Sequence, residues 1–123
     1  MRQFLAVLAV SLLGGACSNS IYAVSDISSV PANPTYNNDI WPLYNDHCLL
    51  CHSFPANRGA PNYFRLDVFG NDGSGVIGAQ TMGSISVHDV QIQRMPPAAK
   101  DGGGVGPNGL EMLLNWQTNG FPE

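Results

Sequence analysis

Cys48-Leu49-Leu50-Cys51-His52 is the run whose residue types and spacing point most directly to chemistry. Two thiols about one helical turn apart can each add to a vinyl group of a porphyrin, and the adjacent imidazole then reaches the iron from the same side. One short motif would fix both the ring and one axial ligand, so covalent attachment of one c-type haem through Cys48 and Cys51, with His52 on the iron, is the chemistry these residues favour. Three other uses compete for them. A disulfide between Cys48 and Cys51 would close a tiny loop and contribute comparatively little chain entropy. A zinc site needs two further nitrogen or sulfur ligands, and the chain has no second cysteine pair, only His47 and His88 as spare imidazoles. A thioredoxin-like redox pair needs a strand before it and a βαβ context after it, whereas Asp39 to Asp46 reads as helix.

A haem iron that only transfers electrons needs a sixth ligand, and the candidates are Met82, Met95, Met112, His47 and His88. Met95 is the best placed. It lies in Arg94-Met95-Pro96-Pro97, leaving the helix read at Ser84 to Gln93, and the prolines are expected to hold the following backbone extended and stiff. His47 adjoins Cys48 and is expected on the His52 side of the ring. His88, on a polar helical segment, reads as a surface imidazole. Met112 sits among Leu110, Leu113, Leu114 and Trp116 and reads as core. Met82, beside Gly83 in a turn-prone stretch, is the weakest methionine candidate. An open sixth position is the alternative, and would make the chain a haem sensor or a small haem enzyme.

The elements that must position these groups follow from periodicity. Tyr36, Ile40, Leu43, Tyr44 and His47 fall on one face of a helix running directly into Cys48. Asp39 is the expected N-cap, which leaves Pro42 in the first turn; a start near Thr35 would instead make Pro42 a kink. Trp41 reads as a packing residue. A final helix starts at Pro107 or Asn108, carries Leu110, Leu113, Leu114 and Gln117 at helical spacing, and is capped at Gly120, with Trp116 in the core. About ten residues of helix are marginal alone and must dock on something. The hydrophobic stretch Tyr63 to Phe69 is expected to contact the ring.

The N-terminus reads as an address. Arg2 precedes the apolar run Phe4 to Leu13, followed by Gly14, Gly15 and Ala16, the order of a bacterial export signal over residues 1–16. At about 1.5 Å per residue such a run is too short to cross a hydrocarbon core of about 30 Å. Gly15-Ala16-Cys17 is similar to a lipobox, although Leu13 lies one place further out than usual. Cleavage after Ile21-Tyr22-Ala23 is the competing site. Three cysteines leave one spare once Cys48 and Cys51 hold the haem, and lipidation of Cys17 accounts for it. Residues 17–34, rich in Ser, Asn and Pro, then read as a flexible tether, and residues 35–123 as the domain.

Composition bounds the rest. A chain of 123 residues with 44% hydrophobic and 11% charged residues holds one small domain. The net charge of -4 argues against nucleic acid and for a basic protein partner, the more so once the leader is removed with Arg2.

Asp39 to Pro42, Cys48 to His52, Arg65 to Asp67, Arg94 to Pro97 and Leu114 to Gly120 together resemble the monohaem class I c-type cytochrome domain, over roughly residues 35–123. The resemblance implies an all-α fold of three to four short helices wrapped around one covalent haem, the first and last helices crossing. The glycine-rich Asp101 to Pro107 loop departs from the family pattern. With His52 and Met95 on the iron and no catalytic constellation elsewhere, the expectation is an electron carrier and not an enzyme. It would cycle Fe(III) and Fe(II) between redox proteins on the periplasmic side of the cell envelope, held to a membrane through Cys17. A fixed electron-transfer subunit of a membrane oxidoreductase is the alternative setting.

Overall fold

A computed structural model of the chain describes residues 27–97 and 104–123, and these are helical, without a strand. A π-helical turn, Tyr36–Ile40, continues as α1, Trp41–His47; α2, Leu49–His52, follows at once; α3 is Ala79–Gln91 and α4 is Gly106–Thr118. An isolated parallel bridge joins Phe64 to Ile77. The expected export signal and Cys17 lie outside the described residues.

The first helix begins earlier than Asp39. Thr35 stands at the N-cap, and Asp39, one turn inside, accepts the Thr35 N–H at 2.8 Å. Asp39 therefore caps backwards, as the carboxylate of a capping box does, and is not the cap itself. An α-helical register would set the Pro42 ring against the carbonyl four residues back. The chain answers with π bonding instead: Ile40 N–H reaches the Thr35 carbonyl at 3.1 Å, and Trp41 N–H reaches that of Tyr36. The apolar face is as the spacing predicts, since Tyr36, Ile40, Leu43, Tyr44 and His47 are all buried. Trp41, expected to pack, lies outside that buried set and is 39% exposed.

Trp116 of α4 is fully buried and organises the core. Its ring lies edge-on to Tyr44 at 6.2 Å and to Phe121 at 4.8 Å, tilted against Tyr36 at 6.3 Å. The Pro122 carbonyl accepts both the Trp116 indole N–H, at 2.8 Å, and the Tyr36 N–H, at 3.0 Å, stitching the chain end to the first helix. The buried face of α4 is Gly109, Met112, Leu113 and Trp116; Leu110, Leu114 and Gln117 are only partly covered. The cause of this rotation is Gly109. A Cβ there would meet Val105 at 2.9 Å and Leu43 at 3.3 Å, so α4 approaches α1 closely along the glycine side.

α3 starts at Ala79, five residues before the expected Ser84. Its rotation is fixed at Gly83, where a Cβ would sit 2.5 Å from the Phe121 ring. Ser86 and the Tyr44 hydroxyl share a buried hydrogen bond of 2.9 Å that ties α3 to α1. Because the Ser86 hydroxyl donates to the Gly83 carbonyl, Tyr44 is left as the donor to Ser86.

Part of the expected tether is docked. Ile27 and Val30 pack against the core and Pro34 is buried. Asn108, Asn115 and Asn119 of α4 donate side-chain hydrogen bonds to the carbonyls of Ile27, Pro31 and Ala32. An extended segment with no apolar period is thus held by its backbone acceptors, so residues 27–34 belong to the folded unit.

Candidate functional site

The backbone turns the Cys48 to His52 run into a single helical turn. The Cys48 N–H ends α1 on the Tyr44 carbonyl at 2.7 Å, and the Cys48 carbonyl accepts from both Cys51 and His52 at 3.0 Å. Ser53 leaves the helix in an extended conformation while its hydroxyl donates to the Leu49 carbonyl at 2.6 Å. The two cysteines are therefore i and i+3 on one side of a turn, and His52 follows directly.

This turn faces a cavity of about 360 Å³ lined by Cys48, Cys51, His52, Phe64, Leu66, Met82, Ile85, Ser86 and Met95, among others. Its walls are mainly apolar. Phe64 packs on the His52 ring with centroids 4.7 Å apart. The loop that carries Phe64 is tied to the motif where Leu66 N–H donates to the His52 carbonyl at 2.9 Å, and tied to the core where the Tyr36 hydroxyl donates to the Leu66 carbonyl at 2.8 Å. Leu50, 54% exposed, and Ile85, 51% exposed, stand where the cavity meets solvent.

Met95 comes to the cavity on the chain that leaves α3. Its N–H and that of Arg94 both donate to the Asp89 carbonyl, at 3.1 and 2.8 Å, folding the exit back onto the helix end. The backbone is consequently not extended here as the prolines suggest. It bends at Met95 and Pro96. Met82 is a correction too. It lies in the first turn of α3, not in a loop, and lines the same cavity as Met95.

The other sequence candidates separate. Met112 is core and His88 is exposed, while His47 is buried and lines the cavity beside Cys48. Within Tyr63 to Phe69 only Phe64 and Leu66 reach the cavity; Tyr63 is exposed and Phe69 packs on Tyr36. Arg65 and Asp67 form a two-pronged ion pair, which holds the Asp67 carboxyl below the usual carboxylate range. Residues 98–103, with the first three residues of the glycine-rich loop, lie outside the described residues, and Gly106 and Pro107 of that loop already belong to α4. Sequence reasoning missed Tyr44 and Ser86 as cavity residues; the helical spacing of Met82, Ile85, Ser86 and Asp89 is the signal that would have found Ser86.

Comparison with protein-family models, with curated proteins and with solved structures finds no match to this chain. The chemistry of the site therefore rests on its residues.

Burial, with Cys51 nearby, pushes the Cys48 thiol up to about 12, so it is a neutral thiol at neutral pH. Among the described residues no three His, Cys, Asp or Glu side chains converge on a point that could hold a metal ion. Burial also lowers the His52 pKa, against the Phe64 carbonyl, which raises it. His52 Nδ1 is buried with no hydrogen-bond partner, while the Phe64 carbonyl faces the ring. Among the described residues no helix is long and apolar enough to cross a membrane.

Proposed function

We propose that the chain is an electron-transfer protein holding one c-type haem, covalently bound through Cys48 and Cys51 and ligated by His52 and Met95. The observation that carries this reading is that residues far apart in sequence, the Cys48 to His52 turn and the Met95 thioether, line one mainly apolar cavity. The donor set suits the group. Two thiols on one helical turn would hold the two vinyl groups, and the imidazole that follows them and the Met95 thioether would bind the iron. Haem, when bound, supplies one-electron Fe(III)/Fe(II) chemistry.

The chain's own residues do the rest. Phe64 packs on His52 and limits the positions its ring can take. Leu66 fixes the motif carbonyl. Tyr44 and Ser86 satisfy each other, so neither hydroxyl is left unpaired on the cavity wall. An acidic chain docks best on a basic redox partner, and Leu50 and Ile85 at the mouth offer that partner apolar contact. The proposed setting is the periplasmic side of the cell envelope, with Cys17 as a lipid anchor.

The test is maturation in a periplasm with haem-attachment machinery, followed by intact mass and haem retention on a denaturing gel. The wild type should gain the mass of one haem and keep it through denaturation. Cys48→Ser/Cys51→Ser should retain none. A wild type without bound haem, or a double variant that still holds it covalently, contradicts the proposal.

A further inference from the structure

We infer that Met82 is a second thioether donor of this cavity, able to take the sixth position on the haem iron when Met95 is withdrawn. The inference rests on the haem reading above and adds a ligand to it.

Met82, Ile85, Ser86 and Asp89 stand at i, i+3, i+4 and i+7 on α3, and all four line the cavity. The first turn of α3 thus presents Met82 to the same space as the cysteine turn. That face is held from behind and from the side. Gly83 admits the Phe121 ring so closely that α3 cannot roll, and Tyr44 grips Ser86. The Met82 N–H is bonded into the helix on the Gly78 carbonyl at 3.1 Å.

The donor chemistry of the face then singles out one atom. Ile85 has no lone pair. The Ser86 hydroxyl is engaged by Tyr44 and by the Gly83 carbonyl. The Asp89 carboxylate accepts from Arg94 at 3.2 Å. The Met82 sulfur is the soft donor of the four, and a thioether is a fitting ligand for haem iron. Met95 reaches the cavity on a turn after the helix, Met82 on the helix itself. Exchange between them would keep the donor type and the low-spin state, so loss of Met95 would not open the iron to small molecules.

The experiment compares the wild type, Met82→Leu, Met95→Leu and the double variant, each matured with covalent haem. Leucine keeps the apolar bulk and the helix. Denaturing-gel haem retention confirms loading, and absorption spectra with and without carbon monoxide read the sixth position. Met95→Leu should stay low spin and retain a weak far-red thioether-to-iron band when oxidised. The double variant should lose the band, become high spin and bind carbon monoxide when reduced. A Met95→Leu protein already as high spin as the double variant would overturn the inference while leaving covalent haem intact. A double variant that stays low spin would overturn it too, by pointing to another donor such as His47. A wild type without covalent haem would overturn the haem reading itself, and this inference with it.

Discussion

Leu66 donates its backbone N–H to the carbonyl of His52 at 2.9 Å while its own carbonyl accepts the Tyr36 hydroxyl at 2.8 Å. Through this one residue the cysteine-histidine turn is tied to the aromatic core. Leu66 is also buried. Leu66→Ala should cost about 2–4 kcal/mol, from lost burial and the cavity left behind, read as a lower midpoint in urea unfolding.

Tyr36→Phe removes the bond to Leu66 and should cost about 0.5–1.5 kcal/mol at neutral pH. The Tyr36 hydroxyl is pushed up to about 12, first by burial and then by Asp67 and Glu123. A raised pKa favours folding only while the group is protonated in both states. That stability is complete below the unfolded pKa of about 10 and is lost as pH rises towards the folded value. The wild type should therefore lose stability between about pH 10 and 12 more steeply than Tyr36→Phe, as unfolding midpoints across that range would show.

Gly83→Ala places a methyl group 2.5 Å from the Phe121 ring. Overpacking of this kind should cost about 1–3 kcal/mol and lower Tm by several degrees. A smaller residue at Phe121 should recover part of the loss made by Gly83→Ala, which a thermal double-mutant cycle measures directly.

The first helix was legible because a face of Tyr36, Ile40, Leu43, Tyr44 and His47 repeats at helical spacing up to Cys48. The turn that carries Cys48, Cys51 and His52 was legible because their spacing fits one turn of helix. The start of α3 was not. Gly78, Thr81 and Gly83 are weak helix formers, and α3 owes its first turn to tertiary contact, chiefly Phe121 against Gly83, which hid Met82 in an apparent loop. The face of α4 was misjudged because Gly109 is buried for its smallness, which hydrophobic periodicity does not count. Residues 27–34 were unreadable as structure because hydrogen bonds from Asn108, Asn115 and Asn119 hold them, not an apolar pattern.

Asn115→Ala removes the part-buried 3.1 Å bond to the Pro31 carbonyl. The loss should be about 1 kcal/mol, and it should appear first as faster amide exchange in residues 27–34 while the core around Trp116 stays protected.

Asp67 is held low first by its hydrogen bonds from Arg65. A depressed carboxyl stabilises the fold above its unfolded pKa and ceases to do so as pH falls through the folded value. Asp67→Asn should be less stable than the wild type at pH 7, by about 1 kcal/mol for a part-buried pair that solvent still screens, and the two should converge in acid. Unfolding midpoints at neutral and acidic pH check this.

The visible spectrum of the matured wild type, oxidised and reduced, with carbon monoxide added to the reduced form, tests the central claim most directly. A low-spin haem that cycles reversibly by one electron and does not bind carbon monoxide is the predicted result, with a weak far-red thioether-to-iron band in the oxidised form. A high-spin haem that takes up carbon monoxide at once would mean an open sixth position, and would contradict the electron-carrier account.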